Sequence, residues 1–310
     1  MSIYLVTGGA GFIGSHIVET LVKKGQKVRV LDNFITGKKE HLSKVMDKIE
    51  LINGDIRNVK TLEKSLKGVT YVLHQAALRS VPRSIDDPVS SNDVNITGTL
   101  LLLQQAHAAK VKRVVIASSS SIYGDNPALP KKESQLPSPI SPYAVSKICD
   151  EYYCQVYTKI FGMETVCLRY FNVFGPKQDP ESEYAAVIPK FITAALTGRT
   201  IEVHGDGLQS RDFAFIDNVV SANLLACTAK NASGKSFNIA CGERHTLLDI
   251  IKIIEKTLNK KAKVVHTKSR AGDVKHTLAD ISQSKKLLGY KTLVTFAQGM
   301  KLTIDYFKNL

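Results

Sequence analysis

The chain has 310 residues, 44% of them hydrophobic and 23% charged, which suits one large soluble α/β unit carrying a smaller lobe. Its net charge of +14 comes from scattered pairs such as Lys38 and Lys39 or Lys131 and Lys132, without longer runs or aromatic interleaving. That pattern argues against nucleic-acid binding and for solvated faces that attract small anions. No stretch approaches the roughly 20 apolar residues of a membrane span. The start enters a strand directly, without a basic n-region or cleavage site, so a cytoplasmic protein with no membrane partner is expected. The five cysteines are odd in number and form no C-x-x-C, so they read as buried apolar residues rather than disulfides or metal ligands.

In chain order, apolar strands are predicted over 3–7, 27–32, 49–53, 71–74, 113–118 and 164–170. Helical stretches lie between them, over 13–24, 60–66 and 95–109. Strand–helix alternation with near-continuous apolar strands predicts a doubly wound parallel sheet of Rossmann type. After Asn172 the rhythm changes, with Pro176, Pro180 and Pro189 breaking it. Residues 1–172 therefore read as the Rossmann domain and 173–310 as mainly a smaller α/β substrate lobe, with a segment near 237–240 returning to the main sheet.

The first strand runs into Gly8-Gly9-Ala10-Gly11-Phe12-Ile13-Gly14 and then an amphipathic helix. In this G-x-x-G-x-x-G, Gly8 allows the tight turn, Gly11 lets a pyrophosphate approach the backbone, and Gly14 lets helix pack closely on strand. The helix N-terminus offers unpaired N–H groups and a positive dipole end to phosphates. Asp32, 18 residues past Gly14, ends the second strand, where a carboxylate accepts from adenosine ribose hydroxyls and repels a 2′-phosphate. The motif thus predicts NAD, with Lys38 and Lys39 leaving NADP open. Asp55, after the third strand, is placed to meet the adenine or to serve as an ordinary turn or cap residue.

The strand 113–118 ends in Ser118-Ser119-Ser120-Ser121, and hydroxyls at the carboxyl end of a sheet strand face the ligand crevice. Further on, Pro142 starts a helix carrying Tyr143 and Lys147, four apart and so on one face. A lysine ammonium beside a phenol favours phenolate, and such a phenol can take a proton from an alcohol while hydride leaves, then return it.

With these residues the chain resembles the extended short-chain dehydrogenase/reductases, and within them the UDP-hexose 4-epimerases, nearly end to end. The glycine turn, Tyr123-Gly124 after the serines, and Tyr143 with Lys147 mark the superfamily. Leu168-Arg169-Tyr170-Phe171-Asn172-Val173-Phe174-Gly175-Pro176, Ser210-Arg211-Asp212-Phe213 and Arg270-Ala271-Gly272-Asp273 mark its nucleotide-sugar branch. Ser80-Val81-Pro82-Arg83-Ser84, Tyr184-Ala185-Ala186-Val187-Ile188-Pro189 and Gly205-Asp206-Gly207 are most similar to the UDP-N-acetylglucosamine 4-epimerases.

The resemblance implies residue roles. Tyr143 is the acid/base with Lys147 its partner, and Ser119 and Ser120 meet the sugar hydroxyl at C4. Asn172, Arg211 and Arg270 hold the diphosphate, Glu202-Val203-His204 frames the uracil, and Asp273 meets the uridine ribose. Ser80, Val187, Arg79 and Thr277 complete the substrate contacts. Besides the residues already given, NAD contacts are expected from Phe12, Ile13, Asn33, Gly37 and Ile56. Gln75, Ala76, Ala77, Asn95, Ser118 and Tyr170 complete that set. The implied reaction removes hydride from C4 to NAD, rotates the 4-keto sugar and returns hydride to its other face. A homodimer is expected by the same resemblance, through 95–109 and 143–161.

Dehydratases and decarboxylases of this scaffold place carboxylates beside the catalytic Ser or Thr, whereas Ser119-Ser120-Ser121-Ile122 has none. Substrate breadth in the epimerases turns on the residue four after the Arg-x-Gly-Asp aspartate; here it is the small Thr277, which admits N-acetylated sugars. Arg79 pulls the other way, because the N-acetyl-specific group has glycine there and the glucose/galactose enzymes lysine. Interconversion of UDP-GlcNAc and UDP-GalNAc, with UDP-glucose and UDP-galactose beside it, is the expectation. A UDP-glucose 4-epimerase with little N-acetyl activity, another nucleotide-sugar oxidoreductase, and a non-catalytic NAD(H)-binding regulator stay open as alternatives.

Overall fold

A computed structural model describes residues 2–181, 186–268 and 275–310. Seven strands form the main sheet: β1 (Ile3–Thr7), β2 (Lys27–Asp32), β3 (Ile49–Asn53), β4 (Tyr71–His74), β5 (Arg113–Ser119), β6 (Glu164–Tyr170) and β7 (Lys235–Ile239). Their order is β7-β6-β5-β4-β1-β2-β3, and every neighbouring pair is parallel. Five predicted strands match at both ends, and β5 runs one residue further, to Ser119. The strand near 237–240 is β7, paired with β6 through Phe237 opposite Leu168.

Side chains alternate across the sheet with the period of two that a strand imposes. Val6, Val115 and Leu168 face one apolar core, shared with Ile17, Val18 and Leu21 of the helix Phe12–Lys23. Leu5, Val114, Ile116 and Cys167 face the other, shared with Leu62 and Leu66 of Val59–Leu66, Leu102 and Leu103 of Gly98–Ala108, and Cys154 and Tyr157 of Pro142–Phe161. The predicted helix 95–109 opens with a π-helical turn, Asp93–Thr97, before the α-helix Gly98–Ala108.

The second part of the chain is built from short ladders. Val173–Phe174 pairs with Ala214–Phe215, Ser210–Arg211 with His245–Thr246, and Ile201–His204 with Val264–Thr267. Phe174, Phe213 and Phe296 pack within ring-centroid distances of 5.4–6.2 Å. These rings belong to the same core as Val6 and Leu168, so the lobe shares apolar packing with the sheet. Capping boxes at Thr246/Asp249 and Thr295/Gln298 start the helices Leu247–Leu258 and Phe296–Lys308.

Candidate active site

The crevice lies where the strand order reverses, between β1 and β4 at their carboxyl ends, which is where open parallel sheets bind ligands. Gly8 has φ +66°, the left-handed region that favours glycine, and a Cβ there would lie 2.7 Å from the Ala76 nitrogen. A Cβ on Gly14 would come within 2.8 Å of the Gly9 Cα, so this glycine lets the helix sit on the turn. At Gly11 the nearest protein atom to a built Cβ is the Gly8 oxygen, at 3.1 Å. Protein packing therefore constrains Gly11 less than the other two. The helix that follows has no side-chain cap at Gly11 and no acidic residue in its first turn. Its amide end and dipole are thus left for an anion, and the cradle fits a dinucleotide pyrophosphate.

Phe12, Ile13, Asn33, Gly37 and Ile56 line this crevice, as do Gln75, Ala76 and Ala77. Asp32 is buried at its wall, accepting from Ala10 N at 2.9 Å and Phe34 N at 2.8 Å. Gly37 packs against that carboxylate, 2.7 Å separating a built Cβ from Oδ1. Lys38 is committed to Asp179 at 2.7 Å, and Lys39 lies over the Phe34 ring. Asp55 also borders the crevice but does not cap the next helix, because Asn58 accepts from Thr61 N there. Hydrogen bonds from Arg57, joined by one from Asn33, hold its carboxyl well below the usual carboxylate range.

Tyr143 and Lys147 both face the crevice from the helix Pro142–Phe161, which Ser141 caps by accepting from Ala144 N. Lys147 is almost fully buried and its ammonium lies 3.0 Å from Asp150 Oδ2. Burial pulls the Lys147 ammonium down, but Asp150 and Tyr143 outweigh it and the net shift is upward. Tyr170 OH is pinned between Gln75 Oε1 at 3.2 Å and Asn223.

Several of the expected contact residues also make bonds within the protein. Ser118 borders the crevice, yet its hydroxyl donates to Glu151 Oε1 at 2.5 Å, inside a buried network with Arg169, Tyr123 and Asn238. Asn95 is fully buried and does not line the crevice; its side chain clamps both backbone groups of Leu78 and reaches Ser146 Oγ. Val94 lines the crevice in its place, since the π-helical turn directs Asn95 inward. Ser119 Oγ accepts from Ser121 N, and neither Ser119 nor Ser120 lines the cofactor crevice. Arg79 is exposed at the rim, and Ser80 has φ +122° with its hydroxyl capping the helix Val81–Asp86. Leu31, Ile35, Thr36, Gly54, Leu78 and Ala117 also line the crevice; only their position at strand ends could have singled them out.

On the lobe side, Asn172 has φ +33° and donates to the Asp212 carbonyl at 2.8 Å. Arg211 donates to the Ser210 and Lys275 carbonyls. Asp212 accepts from Cys241 N, Gly242 N and Ala279 N, and burial pushes its carboxyl up to about 7. Thr277 is half-buried beside this clamp, its N–H on Ser210 O at 3.0 Å and its hydroxyl facing Asp212 N at 3.4 Å. In Ile201–His204, Glu202 points outward and Val203 is fully buried, so Val203 can offer a ligand only its backbone. His204 Nδ1 pairs with Thr267 Oγ1. Val187 is half-buried at the start of its helix, while Arg270, Asp273, Tyr184 and Ala185 lie outside the described residues. Among the described residues no cluster of His, Cys, Asp or Glu could hold a metal, and no helix is long and apolar enough to cross a membrane.

Residues 4–240 match the model of the NAD dependent epimerase/dehydratase family. A putative UDP-glucose 4-epimerase of Methanocaldococcus jannaschii is 37% identical over 98% of both chains. The structure of a UDP-N-acetylglucosamine 4-epimerase from Methanobrevibacter ruminantium, in complex with UDP-N-acetylmuramic acid, is 40% identical with a TM-score of 0.95, covering 99% of this chain and 98% of that one. A UDP-glucuronic acid 4-epimerase from Bacillus cereus, in complex with UDP-glucuronic acid and NAD, is 35% identical with a TM-score of 0.91 over 99% of both chains.

Proposed function

The chain belongs to the NAD dependent epimerase/dehydratase family, and within it we propose a UDP-hexose 4-epimerase that interconverts UDP-GlcNAc with UDP-GalNAc and also accepts UDP-glucose and UDP-galactose. It is an enzyme that uses NAD on UDP-sugars. The observation carrying the N-acetyl reading is Thr277, a small side chain held at the Asp212 clamp, at the position where the family resemblance implies that a bulky residue restricts the sugar. The 40% identical UDP-N-acetylglucosamine 4-epimerase supports it.

When bound, NAD supplies the hydride acceptor and donor. Tyr143 takes the proton from the C4 hydroxyl and returns it after the sugar has turned. Lys147 keeps a positive charge behind the phenol, and Ser119 and Ser120 hydrogen-bond the reacting oxygen. Arg211 holds the diphosphate, so the uridine end is gripped while the hexose rotates. Ser119 to Ser121 bring no carboxylate to the reaction, which suits epimerisation without water loss or decarboxylation.

A homodimer belongs to this reading. The outer face of Pro142–Phe161 exposes Val145, Tyr152, Val156 and Ile160, a stripe of helical period, with Val89 nearby on the adjoining short helix. The helix Gly98–Ala108 buries its apolar face and exposes Gln104 and His107, so the stripe on Pro142–Phe161 is the main contact. Sedimentation should give twice the chain mass, and Val156→Glu should halve it.

The deciding experiment incubates purified protein with UDP-GlcNAc, UDP-glucose or UDP-glucuronate and no added NAD. Conversion of the first, with weaker conversion of the second, is expected. Conversion of UDP-glucuronate alone, or stoichiometric NADH release from added NAD, would overturn the assignment.

A further inference from the structure

Behind the catalytic pair the protein buries a carboxylate that the reaction scheme does not use. Asp150 lies one turn past Lys147 on Pro142–Phe161, both side chains at most 3% exposed, and the ion pair spans 3.0 Å. Its other oxygen, Oδ1, is buried and makes no hydrogen bond among the described residues. Thr99 on Gly98–Ala108 adjoins the carboxylate, and Thr99 Oγ1 lies 3.0 Å from His74 Nε2. His74 Nδ1 in turn lies 2.6 Å from Thr7 Oγ1 at the end of β1. A buried ion pair is a weak source of stability, because desolvation offsets the Coulombic gain, so its placement calls for another reason.

We propose that Asp150 is a positioning residue that sets the charge acting on Tyr143, by holding the Lys147 ammonium and partly neutralising it. The inference rests on Tyr143 and Lys147 being the acid/base pair. Epimerisation needs the same phenol to take a proton and to give it back. An uncompensated ammonium would favour phenolate so strongly that the return step weakens. A carboxylate paired with the ammonium moderates that bias.

The surrounding groups leave this pair as the variable charge. Facing Asp150 from its own helix are Lys147, Cys149 and Glu151, and Glu151 is paired with Arg169 of β6 at 2.7 Å. Burial raises the Cys149 thiol, while the hydrogen bond with Cys154 and burial raise Cys167 of β6, so both stay protonated near neutrality. Burial and then Lys147 push His74 of β4 down to about 3, which keeps it neutral. Burial pushes the Asp150 carboxyl up to about 6, with Lys147 opposing, so it is ionised above that pH.

The test compares Asp150→Asn with Asp150→Glu. In the Asn variant the acid limb of the pH–rate profile should move to lower pH by about one unit, with kcat above that limb falling about three- to tenfold and KM for the UDP-sugar unchanged. An ultraviolet phenolate titration, with the Tyr143→Phe background subtracted, should move in the same direction without turnover. Asp150→Glu, which keeps the charge, should retain the parent limb. Coinciding limbs for parent and Asn variant, or equal shifts for Asn and Glu, would overturn the proposal. If the Asn variant does not fold, Thr99→Val carries the test, because removing the hydroxyl raises the Asp150 carboxyl and should shift the limb the same way by a smaller amount. A parent enzyme whose Tyr143→Phe variant keeps full activity would instead overturn the acid/base assignment.

Discussion

The cofactor crevice and the smaller lobe are built on different principles. The cofactor wall is made of strand ends and backbone: Gly8, Gly11 and Gly14, the Asp32 carboxylate on Ala10 N, and Ala76 against Gly8. The lobe is made of short ladders whose polar groups hold one another, such as Asn172 on Asp212 O and three backbone N–H groups on the Asp212 carboxylate. A wall of backbone tolerates little change, because a glycine contact at 2.8 Å cannot relax. A wall of interlocked side chains can alter its ligand by changing one residue at its edge.

The largest effect that tests this contrast is on chemistry. Tyr143→Phe should lower kcat by about two to four powers of ten while NAD still protects the protein against heat. Loss of that protection would mean that the helix start also builds the cofactor wall. In the lobe, if Arg211 holds the diphosphate as proposed, Arg211→Ala should raise KM for the UDP-sugar about ten- to a hundredfold with kcat nearly unchanged. A fall in kcat with constant KM would move Arg211 from the diphosphate to the reacting end.

Thr277→Tyr should reduce turnover of UDP-GlcNAc about tenfold or more and spare UDP-glucose. Equal loss for both sugars would show that this edge supports the Asp212 clamp rather than reading the 2-substituent. The smallest expected effect is on stability. His74 is depressed to about 3 by burial and then Lys147, so its contribution is complete above the unfolded value near 6.5 and is lost as pH falls toward 3. His74→Gln should therefore flatten the acid decline of unfolding free energy by about one proton between those limits, measured by denaturant titration at several pH values. An unchanged slope would place a charged His74 in the fold.

Much of the cofactor wall was readable because its requirements are local. A glycine turn between strand and helix, and an acid ending the next strand, follow from spacing alone, and β1 to β4 fall where apolar runs predict them. Asn95 turns away from the crevice and the Ser118 hydroxyl, at the crevice border, is engaged by Glu151, both for a non-local reason: a π-helical turn and a buried Glu151–Arg169 pair decide where they point. Val203 likewise sits in an apparent recognition segment but turns into the core.

The sequence by itself determined the parallel strand–helix alternation, the dinucleotide turn and the one-face spacing of Tyr143 and Lys147, because each depends on chain geometry within a few residues. The tertiary structure alone decided which polar residues are supports. It brought Asp150, Thr99, His74 and Thr7 from four elements into one buried set of polar groups next to Lys147. No local periodicity encodes that convergence, since it arises only when β1, β4 and two helices pack together and their polar groups must find partners away from water.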